Sequence, residues 1–182
     1  MIPRNRVALL KTLPRHSVGL EVGVYRANFS LHMIRHVRPR ILYLVDAWRR
    51  MPNTNKHYTD DWHHTNLFIA TCRMLPYIAS GVVRPLCVVS GDAPGYIPDK
   101  SLDWVYIDAD HTYEGCKSDF ARWWPKVKFG GTVMAHDYSP ADFPGVVKAI
   151  DEFEAKNGIK RVGRTEEVHP TVWFKKEAHL KG

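Results

Sequence analysis

Apolar residues along the chain fall into two alternating patterns. Short runs rich in β-branched and aromatic residues occupy Val18–Val24, Ile41–Val45, Val82–Val89, Trp104–Ile107 and Thr132–Ala135, each followed by polar or glycine-containing turn residues. Such runs predict buried strands. Between them apolar residues recur at helical spacing: Phe29, Met33, Ile34 and Val37, then Leu67, Ala70, Met74 and Ile78, then Tyr113, Cys116, Phe120 and Trp124, then Val146, Ile150 and Phe153. This alternation predicts βαβ units and a parallel sheet covered on both faces. The order breaks near the end, where Ile159–Thr165 and Thr171–Lys175 are separated only by Glu-Glu-Val-His-Pro. A closing antiparallel pair is the expectation there. Residues 49–63, rich in Asn, His, Asp and aromatic side chains, fit neither period and predict an irregular segment, either a mobile lid or a plain insertion.

With 182 residues and 45% hydrophobic content, the chain is long enough to bury its own core, and one domain over residues 1–182 is expected. Cys72, Cys87 and Cys116 are odd in number and lack a Cys-x-x-Cys spacing, so neither a disulfide framework nor a thiolate zinc site is suggested. A reducing, cytoplasmic setting follows as an expectation. Arg4, Arg6 and Lys11 interrupt the apolar stretch of Met1–Leu13, and no run approaches membrane-spanning length, so no membrane association is expected. The 26 Lys and Arg outnumber the 19 Asp and Glu, for a formal charge of +7. These cations are scattered, which favours a solvated basic surface over a nucleic-acid track.

Ligands of open α/β sheets sit at the carboxyl ends of the strands, and here every such end carries acid. The first holds Glu21 and Gly23, then Tyr25, Ala27, Asn28 and Ser30 before a helix. The later glycines of a dinucleotide fingerprint are missing, which disfavours a nicotinamide-dependent oxidoreductase. The second end holds Asp46 and Ala47, spaced to reach ribose hydroxyls. The third reads Ser90-Gly91-Asp92-Ala93, suited to adenine. The fourth and fifth carry Asp108, Asp110, His111, His136 and Asp137, which neighbouring parallel strands would bring into one cleft. So many carboxylates need shared protons, cations or a metal. Oxygen ligands favour Mg²⁺, Ca²⁺ or Mn²⁺, and imidazole favours a transition metal.

Glu-x-Gly, Asp, Gly-Asp-Ala and Ile-Asp-Ala-Asp-His-x-Tyr at successive strand ends resemble class I S-adenosylmethionine-dependent methyltransferases. The likeness is to the small-molecule O-methyltransferases acting on catechols, caffeoyl-coenzyme A and macrolide or aminocoumarin sugars, and it spans Val18 to Phe174. It implies a Rossmann-like, doubly wound α/β fold: a mostly parallel seven-stranded sheet with a C-terminal antiparallel strand and helices on both faces. It implies that Glu21 and Gly23 line the methionine portion of S-adenosylmethionine, Asp46 the ribose, and Asp92 with Ala93 the adenine, with Tyr25 and Ala47 also at the cofactor. Asp108 adjoins the cofactor and, with His136 and Asp137, falls on the divalent-metal positions, where Mg²⁺ is the expected ion. Ala27 stands where many members have glycine.

Methyl transfer asks for alignment, exclusion of water and removal of one proton. Asp110 is the leading general base, with His111 as the alternative. His57, His63 and His64 with Asp60 and Asp61 match no structural zinc spacing. Trp48, Tyr58, Trp62 and Tyr138 could wall an acceptor pocket, while Trp104, Trp123 and Trp124 suit packing. The acceptor expected is a small molecule, a sugar or a phenol. An RNA acceptor, a non-catalytic nucleoside-binding module and a pocket completed by a second copy in a homo-oligomer stay open.

Overall fold

The computed structural model describes residues 2–51 and 58–177. Among them lie five α-helices and seven strands. The helices are α1 (Arg6–Leu10), α2 (Asn28–Val37), α3 (Asp60–Ala79), α4 (Tyr113–Trp123) and α5 (Pro144–Asn157). The strands are β1 (Val18–Val22), β2 (Ile41–Val45), β3 (Val83–Leu86), β4 (Leu102–Ile107), β5 (Val127–Ala135), β6 (Gly163–Arg164) and β7 (Val172–Lys175). They form one sheet in the order β3-β2-β1-β4-β5-β7-β6. β1 to β5 pair in parallel, and β7 pairs antiparallel with both β5 and β6. The expected mostly parallel, Rossmann-like sheet with an antiparallel C-terminal end is the fold observed.

Period-two alternation sorts the strand side chains to two faces. Leu42, Leu44, Trp104 and Tyr106 pack under α1, α2 and α3 with Leu9, Met33 and Met74. Their sequence neighbours Val45, Val105 and Ile107 pack on the other face with Phe120 and Trp123 of α4 and Val146 and Ile150 of α5. Trp104 and Trp123 are fully buried, as packing residues should be.

Several boundaries differ from the apolar pattern, each for a local reason. β3 is confined to four residues on the sheet edge, where Pro85 is tolerated because an edge strand needs fewer amide donors. β5 begins five residues before Thr132 because Val127 already pairs with Leu102, residues 128–131 bulging between that pair and the next at Trp104 and Thr132. α1 was not foreseen; Asn5 caps it by accepting from the Ala8 amide at 2.8 Å. α3 reaches back into the segment expected to be irregular: Thr59 caps it, and Asp60 and Asp61 sit in its first turn, where the helix dipole favours acid. Residues 52–57 of that segment, His57 included, lie outside the described residues. Among the described residues no helix is long and apolar enough to cross a membrane, and Cys72, Cys87 and Cys116 are free thiols.

Candidate active site

Strand order reverses at β1, whose neighbours are β2 on one side and β4 on the other. A cleft of about 1000 Å³ opens at the carboxyl ends there, as expected for a switch point. It runs from Ser90 and Gly91 past Asp46 and Glu21 to Asp108, His111 and Arg6.

The turn after β1 is fixed by backbone contacts. Gly23 has φ 85°, and a Cβ there would lie 1.8 Å from the Asp108 carbonyl oxygen, so no other residue fits. Asp46 clamps the same turn: its Oδ2 accepts from the Val24 and Tyr25 amides, both at 2.9 Å, and its Oδ1 accepts from the Trp48 amide at 2.8 Å. Four non-glycine residues around the cleft are left-handed, namely Tyr25 (φ 54°), Ala27 (φ 59°), Trp48 (φ 41°) and Asp137 (φ 62°). Ala27 thus adopts the conformation for which glycine is the default. Asn28 and Ser30 do not cap α2, as their position had suggested. Asn28 Oδ1 accepts from Arg73, and Ser30 Oγ donates to Glu21.

Glu21 is 2% exposed yet lines the cleft. Burial pushes its carboxyl up to about 8, with Asp108 and Asp46 adding to the rise and the Ser30 hydroxyl opposing it. A cation in the cleft would restore its charge. At the third strand end the chain departs from expectation. Ser90 and Gly91 line the cleft, while Asp92 points to solvent and Ala93 is buried in the core beneath a short 3₁₀ turn. The acid that reaches this part of the wall is Asp119 of α4.

The opposite end of the cleft is a knot of charge. His111 Nε2 lies 2.9 Å from Asp137 Oδ2 and 3.7 Å from Asp108 Oδ1, and these carboxylates push its imidazole up to about 10. Burial alone would raise Asp137, but the hydrogen bond from His111 and the adjacent His136 outweigh it and hold that carboxyl well below its usual range. His136 Nδ1 is buried and 2.9 Å from Asp137 Oδ1, but the approach is off the hydrogen-bonding direction and leaves the nitrogen without a partner. Its Nε2 is 3.2 Å from the Arg6 guanidinium, which is also 3.6 Å from Asp108 and stacked over Phe29. His169 approaches from the β6–β7 connection, 3.8 Å from Asp137 and 3.3 Å from Asp142. One ligand atom each from Asp108, His111 and Asp137 lies within 4.8 Å of the others.

Asp110 stands apart from this knot. Its Oδ1 accepts from the Thr112 amide at 2.8 Å, a turn that leads into α4, and it packs against Gly115, whose Cβ position is 2.3 Å from Asp110 Oδ2. The two carboxylates favour the imidazolium form of His111, whose proton a bound cation would displace. Of the aromatic set, Trp48, Tyr58 and Trp62 line the cleft, with Tyr58 stacked on Trp62 at 4.3 Å. Tyr138 does not: its hydroxyl donates to Asp151 and its ring lies under Arg161. His63 lines the cleft, but the metal-capable set among the described residues is the one around Asp108 rather than one on α3. Lys11, Arg15, Arg35, His36 and Arg38 line a separate hollow of about 360 Å³ at the far end of α2, where much of the excess positive charge collects.

Residues 20–138 match the model of the methyltransferase-domain family. The chain belongs to that family. It carries a methyltransferase domain. Solved structures share the fold at low identity. The O-methyltransferase NovP is 19% identical with a TM-score of 0.67, over 95% of this chain and 80% of NovP. An rRNA methylase from Streptococcus thermophilus is 10% identical with a TM-score of 0.63, over 93% of this chain and 92% of that one. Aeropyrum pernix fibrillarin, solved with natively bound S-adenosylmethionine, is 13% identical with a TM-score of 0.64, over 92% of this chain and 72% of that one. Comparison with curated proteins gives no match.

Two residues of the methyltransferase's cleft, Arg6 and Asp119, and one beside the acidic cluster, His169, escaped sequence reasoning. Arg6 lay in a segment with too few apolar residues to read, although Asn-x-x-Ala marks a helix start. His169 sat in a turn, and Asp119 was one polar position inside a helical period.

Proposed function

We propose that the methyltransferase moves the methyl group of S-adenosylmethionine to a hydroxyl oxygen of a small molecule, a sugar or a phenol, with a divalent cation, Mg²⁺ or a related ion, at the acceptor. The observation that supports this most strongly is that the Asp46-clamped turn shares one cleft with Asp108 and His111, behind which the buried Asp137 completes the cluster. Glu21 suits the ammonium of the methionine portion, since a buried carboxyl facing a cleft is stabilised by a cation. Gly23 and Tyr25 flank that portion. Asp46 and Ala47 face the ribose, although three amides already occupy most of the Asp46 lone pairs.

The residues present fit a divalent cation. Two carboxylates and an imidazole converge, and the buried, unpartnered His136 nitrogen is the kind of atom a metal site leaves free. Asp108, Asp137 and His111 would hold the ion, with His136 beside them. When bound, the cation lowers the acceptor hydroxyl's pKa and fixes its angle. The chain's own residues do the rest. Tyr58 and Trp62 exclude water and give the acceptor a flat wall. Arg6 balances the carboxylates from the far side. Asp110 accepts the proton through Oδ2, which has no hydrogen-bond partner among the described residues.

Labelled S-adenosylmethionine offered with catechols and glycosides, with and without chelator, tests this reading. Transfer that chelation abolishes and Mg²⁺ or Mn²⁺ restores is the expected result; chelator-resistant transfer would remove the cation from the mechanism. Asp110→Asn keeps the turn but not the basicity, and is expected to lower kcat about 100-fold with little change in cofactor affinity. A phosphate-bearing acceptor such as RNA is the second reading, favoured by the basic hollow beyond α2. Labelling of RNA in the same assay, persisting at physiological salt, would establish it.

A further inference from the structure

The hollow at the far end of α2 lies apart from the cleft, and its wall is built from basic side chains. Lys11 and Arg15 reach it from the segment after α1, and Arg35, His36 and Arg38 from the last turn of α2 and its cap. Among the described residues the side chains of Lys11, Arg15, Arg35 and Arg38 form no ion pair and no hydrogen bond. Elsewhere cations meet acids, as Arg161 does at Asp151 and Glu154 and Lys126 at Asp99. The segments around the hollow have no acid to offer, because from Met1 to Val45 the sole acidic residue is Glu21, which lines the cleft. Asp103, which reaches the Val18 amide at 2.7 Å, is already matched by Lys128 at 2.6 Å.

These charges are gathered by the fold and not by mutual attraction. Leu9, Leu10 and Leu13 pack with Met33 and Val37, which lays the segment after α1 against the end of α2. His16 and Arg38 are both left-handed, with φ 54° and 52°. The His16 amide donates to the Arg38 carbonyl at 3.1 Å and the Arg40 amide to the Ser17 carbonyl at 2.8 Å, so the two basic turns are tied to each other through main chain. The helix dipole accounts for Arg35 and His36 in the last turn of α2, but not for Lys11 and Arg15, which belong to another segment. Burial lowers the His36 imidazole, Lys11, Arg35 and His32 lower it further, and no carboxylate is among the groups that set it. Like charges held around one concavity repel until an anion joins them.

We propose that this hollow binds a small molecule bearing a diphosphate or paired phosphate groups, at a site separate from the reaction cleft. Guanidinium forks match phosphate oxygens two at a time, and Arg15, Arg35 and Arg38 line the hollow together with the Lys11 ammonium. Its volume of about 360 Å³ is at the lower end of small-molecule sites. The charge does not run on into a track for RNA. Lys175 Nζ donates to Thr132 at 2.8 Å, Lys176 Nζ is buried against the Trp124 and Val127 carbonyls, both at 2.8 Å, and Arg49 lines the cleft at the opposite ends of the strands. The ten residues of α2, about 15 Å, separate hollow from cleft. Neither the donor nor the acceptor of methyl transfer enters into this site.

Titration calorimetry of the full chain with inorganic pyrophosphate at physiological salt tests the proposal. Wild type is expected to bind one pyrophosphate per chain, at least about tenfold more tightly than inorganic phosphate, and excess S-adenosylhomocysteine is expected not to displace it. Arg15→Gln combined with Arg35→Gln should weaken pyrophosphate at least about tenfold while the unliganded melting temperature is unchanged. If the double variant fails to fold, Arg15→Gln alone, at an exposed position, supplies the readout. NMR of wild type is expected to show the His36 titration moving upward when pyrophosphate is added. Pyrophosphate that binds no more tightly than phosphate, or equally well to the folded variant, overturns the site. Displacement by S-adenosylhomocysteine overturns its separateness from the cleft. A single-stranded RNA oligonucleotide that binds more tightly than pyrophosphate, and loses that affinity in the variant, overturns the small-molecule assignment in favour of an RNA surface.

Discussion

The two ends of the cleft are built by different physics. At the end proposed for the donor, the turn after β1 is held by two amide hydrogen bonds to Asp46, itself steadied by the Trp48 amide, and by a steric limit at Gly23, so its shape is complete before any ligand arrives. At the end proposed for the acceptor, Asp108, His111, His136 and Asp137 are held by ion pairs, and the one from His136 Nδ1 lacks hydrogen-bonding direction. Hydrogen bonds to backbone fix position, whereas clustered charge fixes only a balance that an added cation can reset. The Gly23–Asp46 end is therefore rigid by construction, and the Asp108–Asp137 end is poised to rearrange around an added cation.

The sharpest way to break this contrast is at Gly23. A Gly23→Ala side chain would overlap the Asp108 carbonyl at a left-handed φ, and its melting temperature is expected to fall by more than about 10 °C, with loss of S-adenosylhomocysteine binding. A smaller, one-sided effect is expected from Asp137→Asn, which tolerates the left-handed backbone. Metal binding and methyl transfer should fall about 100-fold while cofactor affinity stays within about threefold, and NMR should find the His111 imidazole moving back down toward its ordinary 6.5. Equal losses of cofactor and metal binding would mean the two ends are not separable.

Glu21→Gln sharpens the donor side through its pH dependence. The folded carboxyl sits near 8 against an unperturbed 4.5, so its contribution to stability is present below about 4.5 and is lost as pH rises through 8. The ligand-free variant is therefore expected to melt with wild type at pH 4.5 and progressively above it toward pH 8.5, while binding S-adenosylhomocysteine more weakly. A melting difference independent of pH would contradict the burial of an ionisable Glu21. Least affected should be Tyr138→Phe, within about twofold in methyl transfer, because that hydroxyl serves Asp151 rather than the cleft.

What could be read from the sequence follows the same division. Strand order and the acidic strand tips were legible because period-two apolar runs and Asp46, Asp108 and Asp137 mark themselves locally. The Gly23 turn was legible because only glycine tolerates such an approach. Asp119 was not, since a polar residue on an amphipathic helix looks solvent-facing until the helix packs against a strand end. Arg6 likewise acquires its setting only when α1 docks beside α2 and beneath the β6–β7 connection, through contacts such as the Arg6 amide donating to Glu167 at 2.7 Å.

The contact between the Gly23 turn and the Asp108 carbonyl carries a lesson for retargeting the enzyme. Because these two loops touch through main chain alone, no library of substitutions at that seam can widen the cleft without dismantling it. Room for a different ligand would have to be sought at Arg6, Tyr58 and Trp62, whose side chains line the cleft from segments whose main chain takes no part in that seam.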